Sequence, residues 1–114
     1  MRVEQHVYEA ISSLVSGRVY PVILPEQTLY PALVYRRISG ASETTLDGVD
    51  GLIQARFQFD CWGHVFGDIT VLSSALKTAL TAIKAVPLME IHQFDDDARL
   101  YRAILDYHIW FCES

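Results

Sequence analysis

The clearest periodic signal lies between Leu52 and Trp62, where Ile53, Ala55, Phe57, Phe59 and Cys61 alternate with Gln54, Arg56, Gln58 and Asp60. A two-residue period puts these sets on opposite faces of a strand, one buried and one turned outward. The end of the chain, Arg99 to Phe111, repeats the pattern. There Tyr101, Ala103, Leu105, Tyr107, Ile109 and Phe111 share a face opposed by Arg102, Asp106 and His108. Trp62 and Trp110 fall on the side away from the main apolar set, where an exposed tryptophan can act as a contact hot spot. Ala32 to Ser39, bounded by Pro31 and Gly40, and Leu88 to Asp95 are rich in β-formers and predict two further strands. The last two strands join around Asp95, Asp96, Asp97 and Ala98.

Helical spacing governs two other segments. Val3, Val7, Ala10, Ile11 and Leu14 predict a helix from Val3 to Val15, with Gly17 where a left-handed cap is wanted. Ile69, Leu72, Leu76, Ala79, Leu80 and Ile83 predict a second, with Asp68 as its cap, Ser73 on its polar side and Pro87 beyond its end. Between Tyr20 and Pro31, three X-Pro steps forbid continuous helix and suggest an ordered connector with room for a short edge strand. Gly40 to Gly51 (GASETTLDGVDG) has no apolar period and reads as a long polar loop, a type usually kept for binding.

The order α, β, β, α, β, β predicts a single α+β domain over residues 1–114. Its sheet is expected to be mainly antiparallel and four-stranded or slightly larger, with both amphipathic helices packed on one face.

Charge and composition narrow the function. Nine Lys and Arg against fourteen Asp and Glu give a net charge of −5, which disfavours contact with phosphate backbones. Arg36 and Arg37 are adjacent, so in a strand they point to opposite faces and make no basic patch. No apolar run reaches the length of a membrane span and the N-terminus has no signal-type apolar core, so a cytoplasmic protein is expected. Cys61 and Cys112 are then read as reduced thiols.

Candidate chemistry is sparse. Cys61 and His64 stand three apart and His108 and Cys112 four apart, which resembles zinc-ligand spacing, but Cys61 sits among phenylalanines on an inward face. Asp95, Asp96 and Asp97 are consecutive and diverge in a turn instead of converging on a cation. No nucleophile elbow or phosphate-binding glycine motif is present. No catalytic residue, metal or cofactor is expected.

The ordered combination GRVYP, LPEQTLYPALVYRRISG, GLIQARFQFDCWG and YRAILDYHIWF resembles the tail-completion family of long-tailed bacteriophages and prophages, from about Gly17 to Phe111. That resemblance implies a fold like that of tail-terminator proteins and an assembly role without catalysis. It implies a ring of this chain, commonly sixfold, on the end of the tail tube. The partners would be the tube protein and the head connector, with assembly in the host cytoplasm and a final place in the virion neck. A ring needs heterologous contacts, and the expected suppliers are Glu43, Leu46, Asp47 and Asp50 of the polar loop, with Arg36, Arg56 and Trp62 on or beside neighbouring strands. The alternative from another class is a small ligand-binding or regulatory module of a bacterium, built on an aromatic pocket among residues such as Tyr8, Tyr20, Tyr30 and Tyr35.

Overall fold

The computed structural model describes residues 2–38 and 52–112. The first helix, α1 (Val3–Ile11), turns Val3, Val7 and Ile11 inward. Its continuation, Ser12–Val15, tightens into a 3-10 turn. The chain leaves that turn through Ser16 (φ 52°) and Gly17 (φ 83°), with the Gly17 N–H donating to the Ser12 carbonyl at 2.8 Å. The left-handed exit predicted at Gly17 is therefore spread over two residues, satisfying carbonyls at the helix end.

Five strands follow in two groups: β1 (Val19–Pro21), β2 (Ala32–Arg37) and β3 (Leu52–Gly63), then β4 (Val86–Asp95) and β5 (Leu100–Cys112) after the second helix, α2 (Phe66–Ala82). They form one sheet in the order β1-β2-β3-β5-β4. Every pairing is antiparallel except β1 with β2, which is parallel. The expected order thus gains a strand, because Val19 and the first two residues of the proline-punctuated connector pair with β2. The sheet is mixed and five-stranded.

β3 and β5 form its centre, with Phe57 opposite Tyr107 and Phe59 opposite Leu105. Ala55, Phe57, Phe59 and Cys61 of β3 and Ala103, Leu105, Tyr107 and Ile109 of β5 share one buried cluster with residues of α1 and α2. Both helices therefore lie on the same face, as the two strand periods and two helix stripes require.

Two local readings need correction. Asp68 does not cap α2: the cap position is Val65, with no side-chain hydrogen bond, and Asp68 lies within the first turn. The helix starts three residues earlier than that cap would allow, so the carboxylate meets the positive end of the dipole instead. Ser73 is buried. Its hydroxyl donates to the Thr70 carbonyl at 3.1 Å, which lets a small polar side chain sit inside. Gly63, where β3 turns into α2, is a close-approach glycine: a Cβ there would lie 2.9 Å from Cδ1 of Ile69.

Candidate interaction surface

The face of the sheet away from the helices carries the polar halves of the alternating strands. The register puts Arg36, Gln58 and Asp106 in one row and Trp62 and Arg102 in another. Asp60 is 1% exposed. It accepts from Arg102 Nη2 at 2.8 Å and Gln58 Nε2 at 3.1 Å, and lies 3.6 Å from Arg36 Nη2. Asp106 is equally buried and accepts from Arg56 Nη2 at 2.8 Å. The Arg102 guanidinium lies 4.8 Å from the Trp62 ring centre, a cation–π stack. Arg36 Nη2 also donates to the Val22 carbonyl at 3.2 Å, tying this face to the connector.

Arg36, Arg56 and Trp62, expected from sequence to contribute to an interface, are thus brought onto one face. Glu43, Leu46, Asp47 and Asp50 lie outside the described residues. Arg37 points the other way, as its neighbour's placement demands, and reaches Glu4 of α1 at 3.5 Å. What sequence reasoning missed is the convergence of Asp60, Asp106 and Arg102 with those arginines. The alternating pattern carried the signal for the face, while the pairing that makes neighbours of residues 42 to 50 positions apart appears only with the register.

The array is built of charged groups, which explains how acids stay buried on a face that neither described helix covers. Each carboxylate has an arginine whose own outer part remains in solvent, so desolvation falls mainly on the acid and is offset by a charge-assisted hydrogen bond. Trp62 Nε1 and Asp106 Oδ1 are buried with no hydrogen-bond partner among the described residues. Trp110 stands on the same face and is 41% exposed.

The candidate zinc residues are separated. Cys61 faces the helices, whereas His108 lies on the other face beside Gln54, with Nε2 of Gln54 and Nδ1 of His108 3.1 Å apart. Cys112 pairs with Leu52 at the far end of β3, nine strand positions or about 30 Å from Cys61, beyond disulfide reach. Burial first, then the charges of Asp60 and Glu90, push the Cys61 thiol up and hold it protonated. His64 is exposed and packs edge-on against Tyr30 at 4.7 Å. Among the described residues no three His, Cys, Asp or Glu side chains gather as a metal site, and no helix is long and apolar enough to cross a membrane.

The two sheet edges complete the surface. At one, the connector after β1 exposes Val22, Ile23 and Leu29. At the other, Val86, Leu88, Met89, Ile91 and Phe94 of β4 are all exposed. Between β4 and α2 opens a cavity of about 420 Å³ whose lining includes Lys77, Pro87, Leu88, Met89 and Tyr107. Lys77 Nζ lies 2.6 Å from Glu90, and this contact above all holds the Glu90 carboxyl below the usual range.

The profile of the family described as Tail completion protein gp17 matches residues 7–111. The chain belongs to that family. A search of curated protein sequences finds no match. Among solved structures, the family member is similar to a chain of the virion of a native gene transfer agent (GTA) particle, with 16% identity and a TM-score of 0.61. The likeness covers 91% of this chain and 90% of that one, and at this identity it concerns the fold. The tail-completion family expected from the ordered segments is thus the family of this chain, a family of phage tail structural proteins.

Proposed function

We propose that this tail-completion protein forms a ring that closes the end of the tail tube and presents a surface to the head connector. The family match over residues 7–111 carries the reading. The geometry supports it in a second way. The ends of the sheet are unlike each other, one a proline-rich connector and the other a long exposed strand. Unlike edges suit the heterologous contacts from which cyclic assemblies are made. The arginine-bearing face with Arg36, Arg56 and Trp62 is proposed as part of the subunit or partner interface, meeting the acids Glu43, Asp47 and Asp50 of the neighbouring copy. The partners on this reading are further copies of the chain, the tail-tube protein and the head connector. Assembly takes place in the host cytoplasm before the ring is carried in the virion neck.

Electron microscopy of lysates from a phage lacking this chain tests the role. Unjoined heads, or tails of abnormal length, are expected, and a plasmid copy of the wild-type chain restores whole particles. A copy bearing Glu43→Lys, Asp47→Lys and Asp50→Lys together is expected to restore few. Normal particles without any copy sink the neck role, whereas full rescue by the triple variant removes only the loop from it.

A further inference from the structure

Both edges of the sheet expose aliphatic side chains, and the two sets differ in shape. On the β1 edge they form a projection: Ile23 and Leu29 are each 73% exposed. The segment bearing them is fastened behind by the Tyr20–Thr28 hydroxyl pair at 2.7 Å and by the Arg36 bond to the Val22 carbonyl. On the β4 edge the apolar residues border a depression. Leu88 sits at the irregularity between Pro87 and Met89, where the register with β5 shifts, and opens onto the cavity against α2. The edge is also long, and its guards against pairing with other chains are confined to Pro87 near its start, Glu90 engaged with Lys77, and Asp95 at its end.

Charge follows the same division. The only ionisable residue between Val22 and Leu29 is Glu26, and it is exposed. The lining of the depression holds Lys77 paired with Glu90, and Lys84 is exposed in the turn that leads from α2 into β4.

We propose that the connector projection of one copy, led by Ile23 and Leu29, seats in the α2–β4 depression of a second copy, with Glu26 beside Lys84. This contact deepens the ring reading and rests on it. The two halves lie at opposite ends of the sheet order, so four inter-strand spacings, roughly 19 Å, separate them. One copy therefore uses both halves at once, each on a different neighbour, and the contact propagates head to tail instead of closing as a twofold dimer.

Complementation between two blocked chains tests it. Ile23→Asp spoils the projection and Leu88→Asp the depression, and both positions are exposed, so the fold is retained and circular dichroism verifies it. By sedimentation velocity and native mass spectrometry, the wild-type chain is expected to populate species larger than dimers as concentration rises. Each variant alone is expected to self-associate roughly 30-fold more weakly or worse, the effect of losing a hot spot. Mixed one to one, they are expected to form a heterodimer and nothing larger, because one chain supplies an intact projection, the other an intact depression, and the remaining ends are blocked. Either variant assembling like the wild type, or a mixture with no heterodimer, overturns the contact while leaving the ring reading standing. A wild-type chain that stays monomeric at every concentration also overturns the contact, and the copy number in the neck then judges the ring separately.

Discussion

Changing Arg56 to methionine is expected to lower the unfolding free energy by about 1–2 kcal/mol at neutral pH, less than the loss of a fully buried ion pair because the Arg56 side chain is 46% exposed. Methionine keeps an apolar stem on the sheet and holds water away, so the buried Asp106 carboxylate loses the guanidinium 2.8 Å away and gains nothing. Adding Asp106→Leu removes the stranded charge and is expected to recover most of the loss. Urea unfolding of the single and double variants at neutral pH checks the account. A single variant as stable as wild type at neutral pH contradicts it.

Phe59→Ala is expected to cost about 3–5 kcal/mol, through lost transfer free energy and the cavity left behind. Phe59 is fully buried at the centre of the sheet, 6.1 Å from the stacked ring of Phe57 and 6.2 Å from the edge-on ring of Tyr107. No element can collapse into the space without disturbing the β3–β5 pairing on which both helices rest. Domains of this size are typically stable by roughly 5–15 kcal/mol, so the variant keeps only a fraction of that and its urea midpoint falls sharply. A midpoint shift small enough to match an exposed substitution would place Phe59 outside the core.

The centre of this fold was legible because β3 and β5 alternate strictly. The set Ala55, Phe57, Phe59 and Cys61, and the set Ala103, Leu105, Tyr107 and Ile109, are the two halves of one buried surface. The helices were legible from the spacing of Val3, Val7 and Ile11 and of Ile69, Leu72, Leu76 and Leu80. What was not legible depends on which residues meet across the chain. β1 is only three residues long and exists through its pairing with β2. Asp60 reads as one polar position among others until the register sets Arg102 and Arg36 on either side of it. The apolar run in β4 does not reveal that it ends the sheet, because an edge strand and a central one have the same propensity and differ only in their neighbours. The interface residues follow the same logic. Alternation puts Arg56 and Trp62 on one face of β3, whereas Arg36 joins them through the β2–β3 register, and the projection at Ile23 and Leu29 and the depression at Leu88 arise from topology.

The family membership and the unlike edges lead to one structural claim, that copies of this chain close a ring at the head end of the tail tube. Electron cryomicroscopy of the neck of intact particles tests that claim most directly. The account predicts a closed ring of identical copies at the tube end, helices on one face of each sheet, and each β4 edge against the connector of the next copy. Density for this chain at the opposite end of the tail, or as a single copy without cyclic neighbours, would contradict it.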